Sequence, residues 1–201
     1  MKKILSVLII MIATVPSFAQ LSSGGFSFDK ENLYYGIRIG MTGASVSGDV
    51  DLDGKIGMTL AGVVGIHLSD NTPLFLESGL YYTERGGKKG NVRAGLNYLE
   101  IPLLIKYGFK ATDEIAVLPF FGPYFSYGLG GKLKTGDTKR SSYNNEAGFN
   151  HPDMGFKLGC GVEYNKLYLE IGYQFGVANI SAVDNYSARG KAFIANFGVN
   201  F

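Results

Sequence analysis

The sequence predicts an all-β protein, an eight-stranded antiparallel up-and-down transmembrane β-barrel, and three observations carry that prediction. The chain ends in an alternating apolar strand that stops on an aromatic residue. It begins with the pattern of an export signal. Between the two it lays out extended segments joined by alternately short and long links. In the closing stretch KAFIANFGVNF, Phe193, Ala195, Phe197, Val199 and Phe201 share one face, and Ala192, Ile194, Asn196, Gly198 and Asn200 share the other. Termini ordinarily fray into solvent. A strand that closes a membrane barrel instead has both edges paired and an outer face that must satisfy lipid.

The start of the chain agrees with its end. Lys2 and Lys3 precede an apolar run from Ile4 to Thr14, and Pro16-Ser17-Phe18-Ala19-Gln20 supplies small residues for a cut after Ala19. As a membrane helix the run is too short. The expected organisation is a signal peptide over 1–19, a periplasmic lead-in over 20–32 and one barrel domain over 33–201. Its size, about 180 residues after cleavage, suits a single domain. With 29 Gly, 13 Tyr and 14 Phe, the composition suits strands that curve and faces filled by rings. Cys160 is alone, so no intrachain disulfide forms. The formal net charge is +2, two of its positive charges lie in the signal peptide, and nothing points to nucleic acid.

Eight segments follow in order. The first runs from about Leu33 to Thr42, with Tyr35, Ile37, Ile39 and Met41 opposite Gly36, Arg38 and Gly40. The second, about Gly57 to Leu68, aligns Met58, Leu60, Val64 and Ile66. The third, about Leu74 to Arg85, sets Leu76, Leu80 and Tyr82 against Glu77, Gly79 and Tyr81. In the fourth, about Asn97 to Phe109, Leu99, Ile101, Leu103, Ile105 and Tyr107 oppose Glu100, Pro102, Leu104 and Lys106. The fifth, about Ile115 to Gly130, contains Pro119 and Pro123, which cannot donate to a ladder. Both share a parity with Phe121, Phe125 and Tyr127, so a strand with bulges is the better reading. The sixth (about Asp153 to Tyr164) and seventh (about Leu167 to Val177) keep the alternation, and the closing strand is the eighth.

Links after the second, fourth and sixth segments are short. Those after the first, third, fifth and seventh are longer, reaching about twenty residues between Gly131 and Pro152. Such alternation describes a barrel with one tight rim and one elaborated rim. In outer-membrane barrels the tight rim faces the periplasm. Periodicity alone does not decide whether each apolar row meets a core or lipid. The export signal and the terminal aromatic strand favour lipid, and a monomer in the bacterial outer membrane is the expectation, against a secreted lipocalin-like barrel or sandwich.

With the apolar rows outward, Arg38, Lys106, Lys157, Glu77, Glu100, Glu163 and Glu170 point into the lumen, joined by Tyr34, Phe120 and Tyr124. Isolated buried charges are costly, so these groups must pair or stay hydrated. Eight strands leave room for side chains or one small ligand. A packed polar core that keeps the barrel shut, a narrow path for ions or very small solutes, and a small-molecule pocket all fit. Catalysis has little support: His67 and His151 are the only histidines, no metal-spaced cluster occurs, and no Ser/His/Asp trio stands out. A barrel-borne hydrolase would have to assemble its residues from separate loops. No cofactor is implied.

Two loops stand out by charge. Asp49, Asp51 and Asp53, followed by Gly54, have the alternating acids of a calcium loop, but the twelfth position is Leu60 rather than Glu, and a hydrated acidic turn fits as well. The next loop, from Arg85 to Arg93, is basic and suits contact with anionic lipopolysaccharide head groups or plain solvation. A further loop carries Lys132, Lys134, Lys139 and Arg140, and names no partner.

With these residues laid out, the chain resembles the outer-membrane β-barrel family common in Bacteroidetes-type bacteria, the porin-family or PorT-like proteins. The stretch from Tyr98 to Tyr107 (YLEIPLLIKY) looks like that family's fourth-strand signature. The run from Pro119 to Tyr124 and the pairs of strands over 153–164 and 169–180 are similar to its fifth and closing strands. The opening strand departs from the family's form, which ends in Gly-Leu-Asn or Gly-Val-Asn. The resemblance implies an outer-membrane location and an eight-stranded barrel, and it implies little chemistry. Phe197, Val199 and Phe201 also resemble the C-terminal signal recognised by the outer-membrane assembly machinery.

Overall fold

The computed structural model describes residues 33–49, 51–68, 72–143 and 148–201. The expected signal peptide and lead-in lie outside them, as does Val50 within the acidic turn. Eight long strands form the frame: β1 (Leu33–Gly48), β2 (Leu52–His67), β3 (Leu74–Lys89), β4 (Val92–Tyr107), β5 (Ile115–Gly130), β6 (Pro152–Tyr164), β7 (Leu167–Gly176) and β8 (Ala188–Asn200). Each pairs antiparallel with its sequence neighbours. The first and last then pair with each other, from Gly36 opposite Asn200 to Gly48 opposite Ala188. Phe201 continues the seam, its N–H donating to the Tyr35 carbonyl at 2.8 Å. The sheet is a closed eight-stranded barrel, so no backbone edge is left facing lipid.

Alternation sorts the side chains as expected. The outer surface carries Ile37, Ile39 and Met41 on β1, Ile101, Leu103 and Ile105 on β4, Leu169 and Ile171 on β7, and Phe193 and Phe197 on β8, all exposed. Pro119 and Pro123 also face outward, where a missing donor affects only ladder bonds. Large inward groups are accommodated by small inward neighbours. Arg38 lies beside Gly198 and Gly36, where an added Cβ would meet its guanidinium at 2.8 and 2.5 Å.

The strand ends correct the sequence reading. Each of β1 to β5 has 16 residues, whereas a tilted strand crosses the hydrocarbon in about 9–11. The excess lies at one rim, and it takes up the segments expected as long loops after the first and third strands. Only residues 49–51 separate β1 from β2, and Gly90-Asn91 alone join β3 to β4, with Gly90 at a φ of 54°. The physical reason is that hydrophobic alternation ends where lipid ends, but ladder hydrogen bonds continue. At the other rim the links are short, the tightest being Asn165-Lys166, with Asn165 at a φ of 56°. Between β5 and β6 a small hairpin, Lys132–Thr135 with Thr138–Ser141, adds to the edge of the β4 extension.

Candidate functional site

The lumen holds two ion clusters, each built from several strands. Near the tight rim, Glu77 of β3 pairs with Lys106 Nζ at 2.7 Å and accepts from the Tyr34 hydroxyl at 2.7 Å, with Arg38 Nη2 at 3.6 Å. Arg38 also donates to Asn200 Oδ1 at 2.6 Å, and Asn200 Nδ2 donates to Glu163 at 2.5 Å. The Tyr168 ring lies 4.0 Å from the Arg38 guanidinium, and its oxygen accepts from Lys106 at 2.8 Å. Arg38, Glu77 and Lys106 are at most 1% exposed. Two basic side chains thus face two acidic ones, Glu77 directly and Glu163 through Asn200.

A second cluster sits toward the elaborated rim. Arg85 bridges Glu100 at 2.6 Å and Asp153 at 2.9 Å and donates to Ser126 Oγ at 2.9 Å. Lys157 pairs with the other Glu100 oxygen. Gln174 donates to Glu100 at 2.8 Å, and the Tyr124 hydroxyl donates to Asp153 at 3.1 Å. The Tyr98 ring covers Arg85 at 4.3 Å. Here too two basic side chains meet two acidic ones. Glu170 stands apart: it accepts from Asn196 at 2.7 Å, and among the described residues no basic group comes within ion-pair distance.

All seven lumen residues expected from parity are inside and buried. Arg85 is a correction. The sequence reading placed it at the start of an exposed basic loop, yet it is 4% exposed and forms the hub of the second cluster. Its odd parity on β3, shared with Glu77 and Tyr81, was the signal. Asp153, Ser126, Gln174, Asn196 and Asn200 were likewise not singled out, although each shares the inward parity of its strand.

Above the second cluster the lining changes character. Val46, Leu52, Ala94, Leu96, Tyr98, Phe149, Ile180 and Ala188 form a buried apolar cluster, with Val92, Leu133 and Tyr143 packed against it. These residues come from the extensions of β1, β2 and β4, the start of β8, the added hairpin and the links after β5 and β7. Ser142 donates to the Gly95 carbonyl at 2.7 Å, and the Phe149 N–H donates to the Ser142 carbonyl at 2.8 Å, tying the cap to β4. Burial pushes the Tyr143 hydroxyl well above its ordinary pKa.

The three candidate calcium ligands go separate ways. Asp49 accepts from the Ser187 N–H at 2.8 Å, Asp51 pairs with Lys89 at 3.3 Å in an exposed bridge, and Asp53 stands opposite Lys88 in the ladder. Among the described residues no three His, Cys, Asp or Glu converge as a metal set. His67 stacks on Phe75 at 4.7 Å, while His151 lies between Tyr127 at 5.1 Å and Tyr143 at 4.7 Å. Phe197 and Phe201 of the closing strand face outward and are exposed.

A closed antiparallel barrel with an apolar exterior and a charged interior defines a small outer-membrane β-barrel protein. The chain belongs to the outer membrane protein beta-barrel domain family, whose model matches residues 18–182. No curated protein matches it in sequence. Among solved structures it is similar to Neisserial surface protein A at 17% identity, covering 83% of this chain and 97% of that one, with a TM-score of 0.54. It is also similar to OprG from Pseudomonas aeruginosa (13% identity, 88% and 99% covered, TM-score 0.49) and to the outer membrane enzyme PagL (14% identity, 83% and 98% covered, TM-score 0.46). The protein is located in the bacterial outer membrane.

Proposed function

We propose that this is a closed, non-conducting, non-enzymatic barrel that presents its elaborated rim outside the cell as a structural or binding surface. The observation that supports this most is the apolar cap over the ion clusters. A hydrated path would have to break the Glu77 and Glu100 networks and also cross a layer of buried Val, Leu, Ile and Phe side chains. On this reading the protein is exported through residues 1–19, inserted by the assembly machinery through Phe197, Val199 and Phe201, and works as a monomer among outer-membrane lipids. The YLEIPLLIKY stretch supports kinship with the PorT-like group. At the rim, an open cleft of about 420 Å³ lined by Asp49, Asn150, Asn179, Ser181, Asp184 and Tyr186 offers a concave surface to a partner.

Planar-bilayer recording tests the closed state. The purified protein is expected to leave the bilayer silent. Reproducible channels altered by Glu77→Gln or Glu100→Gln would replace this reading with a narrow ion path. Phe201→Ala is expected to reduce the fraction of chain recovered as folded barrel in outer-membrane preparations, and unchanged recovery would remove Phe201 from the assembly step.

A further inference from the structure

The outward side of the elaborated rim carries a row of cations that the lumen and cap leave unexplained. Lys88 of β3 is directly opposite Arg93 of β4, Arg93 is opposite Lys134 of the added hairpin, and Lys134 is opposite Lys139. Four positive side chains therefore stand side by side across four neighbouring strands. At a spacing of about 4.8 Å per strand the row spans roughly 14 Å. Like charges directly opposite one another destabilise a sheet, so a row of four is costly unless an anion lies along it. All four are exposed. Among the described residues no carboxylate comes within ion-pair distance of any of them. The acids nearest in the ladder are Asp53, opposite Lys88 at one end, and Glu84, lower on β3; Asp137 lies in the hairpin turn. Lys132 adds a further cation on the hairpin arm.

Alternation settles which way the row faces. Val92, Ala94 and Leu96 of β4 pack into the cap, and so does Leu133 of the hairpin, which leaves Arg93 and Lys134 on the opposite side. That side is continuous with Leu99, Ile101 and Leu103, the lipid-facing row of the same strand. The row looks sideways, over the lipid that surrounds the barrel.

Its height places it at the outer edge of the lipid. On its own strand Arg93 lies six positions above Leu99, the last outward apolar side chain of β4, about 20 Å along the strand at ~3.3 Å per residue and roughly 15 Å in height at a tilt of about 40°, while exposed Ile56 on β2 and Leu129 on β5 carry the apolar belt higher on nearby strands. A head-group layer is only about 5–8 Å thick. The row therefore stands at the outer edge of the head-group layer, within reach of the sugars those lipids carry. We infer that Lys88, Arg93, Lys134 and Lys139 bind the acidic, phosphate- or carboxylate-bearing sugars of the glycolipid in the same outer leaflet, that is, the core saccharide of lipopolysaccharide. This rests on the reading that the elaborated rim faces outside.

The test uses the full protein purified from outer membranes, with Lys88→Gln, Arg93→Gln, Lys134→Gln and Lys139→Gln combined, and a second variant in which the three lysines become arginine. The probes are rough lipopolysaccharide carrying core sugars, the same preparation stripped of acidic sugar substituents, and lipid A alone. Wild type and the arginine variant are expected to bind the first probe in a salt-sensitive manner. The glutamine variant should bind it about tenfold or more weakly while keeping the unheated-gel mobility of a folded barrel. Stripped sugars should abolish the difference between variants, and lipid A alone should show none. Equal binding by the glutamine variant, or an equal loss with lipid A alone, overturns the inference. Thr138→Cys in a Cys160→Ser background, probed on intact cells with an impermeant maleimide, tests the underlying reading separately. Absence of labelling would reject the outward rim itself, whereas labelling together with unchanged glycolipid binding would reject the cation row alone.

Discussion

The lumen is filled in two different ways along its length. From the tight rim up to Arg85 the filling is mainly ionic: four basic and five acidic side chains, arranged as two clusters with Glu170 held by Asn196, and with small apolar groups around Val63 and Leu118 between them and the wall. Above Arg85 the filling is apolar, supplied by Leu52, Leu96, Phe149, Ile180 and their neighbours. Apolar packing is favourable wherever the pieces meet, and it tolerates adjustment. A buried ion cluster is unforgiving, because its desolvation cost is met only when each partner is in place. The lower lumen therefore behaves as a lock whose parts depend on one another, and the cap as a small hydrophobic core laid over it.

Substitutions that leave one region intact while disturbing the other sharpen this contrast. The largest effect is expected for Arg85→Met, which leaves Glu100 and Asp153 facing each other without their shared cation. Stability, read by urea unfolding in lipid vesicles, should fall by about 3–5 kcal/mol. A loss below about 1 kcal/mol would mean that water already screens the cluster. Glu77→Gln should cost somewhat less, about 3 kcal/mol, because Arg38 keeps Asn200 and the Val199 carbonyl and Lys106 keeps the Tyr168 hydroxyl, while Lys106 loses its carboxylate.

In the cap, Leu96→Ala removes a side chain only 1% exposed and should cost about 2–4 kcal/mol. Its signature differs from that of the ionic variants: protease cleavage near the Lys132–Ser141 hairpin should accelerate, and bilayers should stay silent. Channels from Leu96→Ala alone would show that the cap, rather than the ion clusters, is the seal. The smallest effect is expected for Glu170→Gln. This change neutralises a buried carboxylate that has no cation and keeps an acceptor for Asn196. Stability should rise by about 1 kcal/mol or less. A loss as large as that of Glu77→Gln would show that Glu170 holds a positive partner.

Much of this was legible in the residues. A period of two, an apolar row and a polar row place Arg38, Glu77, Glu100, Lys106, Lys157, Glu163 and Glu170 on one side of their strands, and an apolar row that meets lipid points them inward. Arg85 and Asp153 were missed for one reason. Both lie where the lipid-facing row runs out, so the pattern that marks a strand fades although its parity still holds. The cap was illegible, since Phe149 and Ile180 sit in links without periodicity and meet Leu96 and Val46 only through the closed barrel. The cation row was half visible: the basic residues are plain in the sequence, but the register that sets Arg93 against Lys134 is not.

By itself the sequence determined the class of fold, the order of the strands, the closing role of the KAFIANFGVNF segment and the inward face of Arg38, Glu77, Glu100, Lys106, Lys157, Glu163 and Glu170. Alternation and hydropathy are local properties, and the bilayer reads them strand by strand. Only the tertiary structure decided which cation meets which carboxylate, that Glu170 is left without one, that apolar side chains pack across the lumen at the elaborated rim and that four basic residues line up across neighbouring strands. Those are facts of register across strands distant in the chain, and a closed ring of hydrogen bonds sets that register.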